Sequence, residues 1–361
     1  MIGRPPWLDG RRESWPRRLA LLPVGLLGWL YGLGASLHRA LYARGVLRAT
    51  RLPCRVVSVG SCSVGGSGKT PFAAWLAAEL HRRGHRVALL SRGYGRRGRD
   101  PVVVVSDGRG IRATADEAGD EPLLLASHAP GVPVLVGPRR DVVGRRALAA
   151  FGSDVLVLDD GFHHHRLARD LEIVVLDGHA GLGNRRVLPR GPLREPLRAV
   201  ARADAIAVID GRLPDDDRRA LEARAPGATW LEAVRAPVAL RALGGGDARP
   251  LASLRGAAVG LLCGIARPGS FRRTLEALGA RVVAERVFPD HHRYRAADLR
   301  GLGDEARLWL TTEKDAVKLS PTWADAEIAV LRVALRPRGR EAGDAFLGFV
   351  EARLAQAGGV R

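Results

Sequence analysis

The stretch RVVSVGSCSVGGSGKTPFAAWLAAELHRRG, residues 55–84, decides how the chain is built. Arg55 to Val59 reads as a buried strand and Pro71 to Arg83 as a helix stopped by Gly84. Between them lies Ser63-Val64-Gly65-Gly66-Ser67-Gly68-Lys69-Thr70. A glycine-rich bend here lets backbone N–H groups turn inward around phosphate oxygens, at the positive end of the helix dipole. Lys69 is then placed to reach the β- and γ-phosphates of a nucleotide, and Thr70 to offer its hydroxyl to magnesium. Pro71 fits, because a first-turn residue has no intrahelical N–H partner to lose. The strict pattern G-x-x-x-x-G-K-[ST] asks for glycine where Ser63 stands, so the match is physical rather than literal.

Outward from this loop, short apolar runs alternate with helical stretches. Strand-like runs follow at Val87–Leu90, Val102–Val105, Val132–Val136, Val155–Leu158, Ile173–Leu176 and Ala205–Ile209, with a helix over Val142–Ala150. That alternation predicts an α/β/α sandwich of P-loop NTPase type, a mostly parallel sheet with helices on both faces. Asp159 and Asp160 end an apolar strand, where P-loop proteins hold their metal. A region at Ala236–Pro250, with Gly244-Gly245-Gly246, reads as a linker to a smaller C-terminal α/β lobe. Its runs are Val259–Leu262, Arg281–Val287, Leu308–Thr311 and Ile328–Val333, with helices near Phe271–Leu278 and Phe346–Ala355. The expected organisation is an N-terminal segment over 1–50, a P-loop nucleotide-binding core over 51–235 and the smaller lobe over 236–361.

The chain has 361 residues and is 46% hydrophobic, ample for a packed core, which excludes disorder as a description of the whole. A formal charge of +19 implies an anionic partner: nucleic acid, a membrane surface or a phosphorylated substrate. With Phe 7, Trp 7 and Tyr 4, material for base-stacking platforms is thin, so no nucleic-acid partner is expected. Cys54, Cys62 and Cys263 are odd in number and far apart, which suggests a reducing compartment rather than a disulfide framework. Nearly all the positive charge is arginine, and lysine occurs only at Lys69, Lys314 and Lys318. Lysine kept in so arginine-rich a chain marks positions where a compact ammonium does what a planar fork does not.

From Leu19 to Leu37 no charged residue occurs, with Arg17 and Arg18 before and Arg39 and Arg44 after. Spanning a bilayer takes ~20 apolar residues, so the stretch is borderline, and Pro23, Gly25, Gly28, Gly32 and Gly34 weaken a straight helix. A membrane-associated helix is expected. Spanning and embedding in one leaflet, with Trp29 and Tyr31 at the boundary, both stay open, beside a lesser alternative of a buried soluble helix. Basic residues on both flanks leave its orientation open.

These features, taken with further motifs, resemble the tetraacyldisaccharide 4'-kinase family. The motifs are SVGGSGKTP, Ser91-Arg92-Gly93-Tyr94-Gly95-Arg96, Gly119-Asp120-Glu121-Pro122, DDGFHHHRL at 159–167, GPLREPL at 191–197, Phe288-Pro289-Asp290-His291-His292 and Thr312-Glu313-Lys314-Asp315-Ala316. The resemblance implies ATP-dependent phosphorylation of the 4'-hydroxyl of an acylated glucosamine disaccharide 1-phosphate. It implies ATP and Mg2+ as cofactors and a place at the cytoplasmic face of the bacterial inner membrane, with no obligate protein partner. It also implies Asp120 as the base, helped by His291 or His292, and Arg140, in preference to Arg139, with Arg194 as cations near the phosphates. Glu195 joins Asp159 and Asp160 as acidic contacts to metal or substrate. His163 and His165 depart from the family pattern.

On spacing alone, Asp120 reads better as the N-cap of a helix beginning at Glu121, and only the resemblance makes it a base. Arg140 and Arg194 read equally as members of solvated ion pairs, and Lys314 as a loop cap or a partner of Asp315. The consecutive His163-His164-His165 cannot all aim at one ion from a regular element, so zinc is not expected there. Two other classes compete: a membrane-associated P-loop switch NTPase acting on protein partners, and a nucleic-acid-dependent ATPase. A kinase needs a group that activates an acceptor, whereas a switch needs one that positions water.

Overall fold

The computed structural model describes residues 20–265 and 268–356. The reading of Arg17, Arg18 and Leu19 falls outside those residues. Among the described residues twelve strands form one sheet: β1 (Arg55–Gly60), β2 (Val87–Ser91), β3 (Val103–Asp107), β4 (Pro133–Val136), β5 (Val155–Asp159), β6 (Leu171–Asp177), β7 (Ala205–Ile209), β8 (Thr229–Ala242), β9 (Ala258–Cys263), β10 (Arg281–Val287), β11 (Leu308–Thr312) and β12 (Glu327–Pro337). The helices of eight residues or more are α1 (Leu22–Ala43), α2 (Lys69–Arg82), α3 (Asp120–His128), α4 (Arg140–Phe151), α5 (Asp215–Glu222), α6 (Pro268–Ala277) and α7 (Arg340–Gln356).

The strand order is β10-β9-β11-β12-β8-β7-β6-β1-β5-β2-β4-β3. Every neighbouring pair is parallel except β3 with β4 and β8 with β12. β1 sits between β5 and β6. Carboxyl ends of adjacent parallel strands form the crevice where open α/β sheets take ligands, and here they carry the glycine-rich loop and Asp159. The central strands are buried on both faces, whereas β10 at one edge alternates between exposed and half-buried residues, and β5 shows why a central run carries no polar alternation. Val155 and Val157 pack with Phe72, Leu76 and Leu80 of α2 on one side, while Leu156 and Leu158 pack with Val143 and Ala147 of α4 on the other. Phe346 of α7 meets Phe72 edge-on at 6.1 Å, so the C-terminal helix closes the core over the nucleotide-loop helix.

One reading is corrected, and the lesser alternative for the N-terminal stretch falls away. The region taken as a linker from Ala236 is strand as far as Ala242, the second half of β8, paired antiparallel with β12. Pro237 disguises it; the ladder accommodates the proline at a register shift opposite Arg332 and Val333. The apolar N-terminal stretch is not a buried helix. In α1, Gly28, Gly32 and Ser36 form the contact stripe: a side chain at Gly28 would meet the Val187 carbonyl at 3.1 Å, and Arg198 donates to Ser36 Oγ at 2.8 Å. The opposite stripe, Leu26, Leu30, Leu33 and Leu37, is at least half exposed. Among the described residues no helix is long and apolar enough to cross a membrane.

Candidate active site

The loop after β1 is built as its residue types demand. Gly65 and Gly68 have φ of 105° and 82°, and Gly68 caps α2 in the left-handed region, where a side chain would be strained and would crowd Ile209. Ser63 has no such need. It forms an antiparallel bridge with Leu193, and Val64 N–H donates to the Pro192 carbonyl, so this end of the loop is extended backbone held by the GPLREPL segment. That is why serine serves where the strict pattern asks for glycine. A shallow pocket runs along the loop, with residues 63–67 on one wall and Asp177, Ala180 and Gly181 on the other.

Asp159, at the end of β5, is fully buried, and Thr70 Oγ1 lies 3.4 Å from both its carboxylate oxygens, with Ser91 Oγ at 3.5 Å. Burial pushes its carboxyl up to about 7, against the pull of Lys69. Asp160 takes a left-handed φ of 55° and accepts from Arg194 Nη1 at 2.9 and 3.0 Å. Burial opposes its charge, but Lys69 and Arg194 outweigh burial and hold the carboxyl below its usual range. The two neighbouring carboxyls are thus driven apart, one toward neutrality and one toward permanent charge.

A hydroxyl beside one buried and one half-buried carboxylate is a hard oxygen set that suits Mg2+, which completes its shell with water and phosphate oxygens. Among the described residues no group of three His, Cys, Asp or Glu side chains could hold a metal ion by itself. Ser67 Oγ, at the loop, and Arg140 Nε are buried with no hydrogen-bond partner among the described residues. Arg140 is nearly fully buried, donates from Nη1 to the Gly137 carbonyl at 2.9 Å, and is pushed down to about 10 by burial, with Asp159 pulling the other way. Arg139 instead points outward to Asp141. An incompletely paired buried cation and a hydroxyl without a partner suit an incoming phosphate chain.

Asp120 opens α3 as its first residue, with Gly119 as the N-cap. Its Oδ1 accepts the Glu121 N–H at 3.0 Å, and its Oδ2 lies 3.0 Å from His291 Nδ1. Burial disfavours the carboxylate, but His291, Lys314 and Lys318 outweigh burial and hold Asp120 below its usual range. The hydrogen bond to Asp120 outweighs burial of the ring and raises His291. The neighbouring His292 does not join this pair; it stacks on Phe288 at 4.4 Å and bonds Asp298 at 3.1 Å. His291 has φ of 60°, and that left-handed turn sends the two rings to different partners.

Glu195 is buried against Arg202, with Nη1 at 2.9 Å, and lies 3.6 Å from both His163 and His165. His165 also meets His38 and Tyr42 of α1, at 5.8 and 5.9 Å between ring centroids, so the apolar helix touches the loop that follows the Asp pair. Residues beyond those predicted also gather at the site. Lys314 Nζ lies 2.8 Å from Asp290 and 3.2 Å from His291 Nε2, and Lys318 lies 3.1 Å from Asp315 and 3.9 Å from Asp120. Lysine scarcity was the signal for both.

The tetraacyldisaccharide-1-phosphate 4'-kinase family model matches residues 18–351. The chain belongs to that family. A tetraacyldisaccharide 4'-kinase of Anaeromyxobacter dehalogenans is 49% identical over 324 residues, covering 87% of this chain and 85% of the relative. One from Syntrophus aciditrophicus is 45% identical, covering 86% and 87%. The crystal structure of LpxK from Aquifex aeolicus in complex with ATP superposes with a TM-score of 0.75 at 32% identity, over 94% of this chain and 99% of that one. The expected family and α/β fold are therefore borne out.

The environment of Asp159 makes a stability prediction. A carboxyl whose folded value lies above its unfolded one binds extra protons in the folded state, so it lowers stability as pH rises from about 4 to about 7. In the nucleotide-free protein, Asp159→Asn removes that slope, at most ~1.4 kcal/mol per pH unit. Urea unfolding of both proteins at pH 5 and pH 8 checks it: the variant gains relative to wild type at pH 8, and an equal difference at both values contradicts the assignment.

Proposed function

We propose that this chain transfers the γ-phosphate of ATP to the 4'-hydroxyl of a tetraacyldisaccharide 1-phosphate at a membrane surface. The observation that carries the reading is the Asp120–His291 pair, an acceptor-activating group that a switch NTPase does not require. The proposed step is in-line. Asp120 takes the hydroxyl proton, the freed oxygen bonds to the γ-phosphorus, and the bond from that phosphorus to the bridging oxygen breaks, leaving ADP. His291 holds the carboxylate oxygen in place and stabilises its charge before the proton arrives.

Residues 63–70 wrap the phosphate chain, with Lys69 and the buried Arg140 countering its charge. The Thr70 hydroxyl with Asp159 and Asp160 would hold Mg2+, which neutralises charge on the β- and γ-phosphates when bound. Arg194 fixes Asp160, and Glu195, engaged by Arg202, shapes the loop at 160–165 and the seat of α1. For α1 the reading is embedding in one leaflet on the cytoplasmic side, its leucine stripe among acyl chains, with Arg39 and the following Arg44 among anionic headgroups.

The test is transfer of label from γ-labelled ATP to acylated disaccharide 1-phosphate in mixed micelles. Labelled lipid supports the kinase; label found only as free phosphate, stimulated by DNA or a protein, favours one of the rival classes. The membrane reading has its own check. Burying one leucine is worth about 1.5–3 kcal/mol, so Leu26→Ser, Leu30→Ser and Leu33→Ser together are expected to weaken flotation with anionic phospholipid vesicles by at least ~100-fold. Unchanged flotation would remove α1 from that role.

A further inference from the structure

The three lysines of this arginine-rich chain all stand at the site, and two of them, Lys314 and Lys318, are unexplained by nucleotide binding. Lys318 is a tenth exposed, and its Nζ sits between two carboxylates: Asp315 Oδ1 at 3.1 Å and Asp120 Oδ2 at 3.9 Å. Asp315 is fully buried and already fixed on its other oxygen, which accepts the Gly264 N–H at 3.0 Å and the Thr312 hydroxyl at 2.8 Å. Tyr294 places its ring 5.4 Å from the same Nζ. The ammonium is therefore held by a rigid anchor at the end of β9 and β11, with its remaining charge directed at the N-terminus of α3.

The far end of α3 is tied to the same segment. His128 lies 3.1 Å from Glu313, which also accepts the Val333 N–H at 2.9 Å. The stretch from Glu313 to Lys318 thus grips both ends of the helix that carries Asp120. Lys314 makes a different contact, at the outer nitrogen of His291.

We infer that Lys318 is a positioning residue for Asp120, coupling the base on α3 to the buried Asp315 of the C-terminal segment. This rests on the phosphotransfer reading above. A guanidinium is too broad and too strongly directional to reproduce one compact charge between two carboxylates at these distances, which accounts for lysine here. The groups facing Asp120 are His291 from the loop after β10, Lys318 and Lys314 from the segment after β11, and Glu121 on its own helix. Asp290 and Asp315 lie behind the lysines, and Tyr94 lies 6.1 Å from the His291 ring. Lys318 is the one cation among them anchored to a fully buried carboxylate.

The experiment compares wild type, Lys318→Met and Lys318→Arg in the full chain, measuring kcat and KM for ATP and for the lipid across pH. Lys318→Met is expected to lower kcat by about 10- to 100-fold through loss of aim, with KM for ATP within about twofold. Loss of an opposite charge at this range also moves the acid limb of kcat/KM upward by about 1 pH unit. Lys318→Arg, which keeps the charge, is expected to hold the acid limb at the wild-type position while recovering only part of kcat. If methionine prevents folding, shown by melting, Lys318→Gln keeps a donor for Asp315 without the charge and carries the same expectation for the limb. An acid limb that stays in place in the neutral variant, or a loss confined to KM for ATP, overturns the inference. Wild type that transfers no label to lipid overturns the underlying reading, so the two failures are distinct.

Discussion

Asp120→Ala is expected to slow phosphoryl transfer by about 10²–10⁴-fold while leaving ATP binding within a few-fold of wild type, the range for loss of a positioned general base. The carboxylate has one oxygen on the Glu121 N–H at the start of α3 and the other 3.0 Å from His291 Nδ1. Burial disfavours the charged form, but the His291 contact, Lys314 and Lys318 favour it and together outweigh burial. The shifts run in opposite senses: Asp120 falls and His291 rises, so the pair is ionic over a wider pH window than either group alone. Activity that needs the carboxylate is then retained below the ordinary carboxylate range and lost only as pH falls through the lowered value. His291→Ala removes the chief support of that shift, so its acid limb is expected to move upward, while His292→Ala, acting on Asp298, leaves the limb in place. The two members of the pair act as a unit, so Asp120→Asn with His291→Ala is expected to cost little more than Asp120→Asn alone. Steady-state transfer assays across pH check all five variants, and an Asp120→Ala enzyme with wild-type turnover removes Asp120 as the base.

How much of this was legible in the chain differs from residue to residue. The nucleotide loop was readable because its chemistry is local: three glycines, a lysine and a threonine do their work within one bend, and the flanking strand and helix announce themselves by apolar pattern. The placement of Asp159 and Asp160 at the end of a buried strand beside that loop was readable for the same reason. The choice between His291 and His292 was not, because it depends on a left-handed φ at His291 and on an aromatic stack with Phe288, neither of which spacing reveals. Asp120 looked like a helix cap because it does begin a helix; what makes it more than that is His291, far away in the chain. β8 escaped because Pro237 interrupts a half-buried strand whose partner β12 lies far off in sequence. Lys314 and Lys318 were the instructive misses. Their rarity set them apart, but a rare residue shows only that something is needed, and the partners that say what is needed come from the fold.

Lys69 carries the second large effect, and the loss in Lys69→Ala is expected to be about 10²–10³-fold in kcat/KM for ATP, the scale for removing one preorganised donor from a transition state that concentrates charge. Without nucleotide, Lys69 already lowers the carboxyls of Asp159 and Asp160 electrostatically. Its removal therefore has a second consequence: Asp159, already pushed up to about 7 by burial, loses its principal opposing charge and rises further, which makes a carboxylate harder to offer to Mg2+ at neutral pH. The two effects separate by pH, because the phosphate contact is lost at every pH while the carboxylate penalty fades as alkalinity restores the charge of Asp159. Lys69→Ala is accordingly expected to recover part of its activity between pH 7 and pH 9, relative to wild type. Lys69→Arg sharpens the argument, since a chain this rich in arginine keeps lysine at the loop. The planar fork must fit a space bounded by Gly68, itself pressed against Ile209, and by two carboxylates that will pair with it in preference to phosphate. That variant is expected to retain less than about a tenth of wild-type kcat/KM. Binding of a fluorescent ATP analogue, run beside the transfer assay at pH 7 and pH 9, checks both variants; a fully active Lys69→Arg enzyme would show that the loop needs only a positive charge and not a compact one.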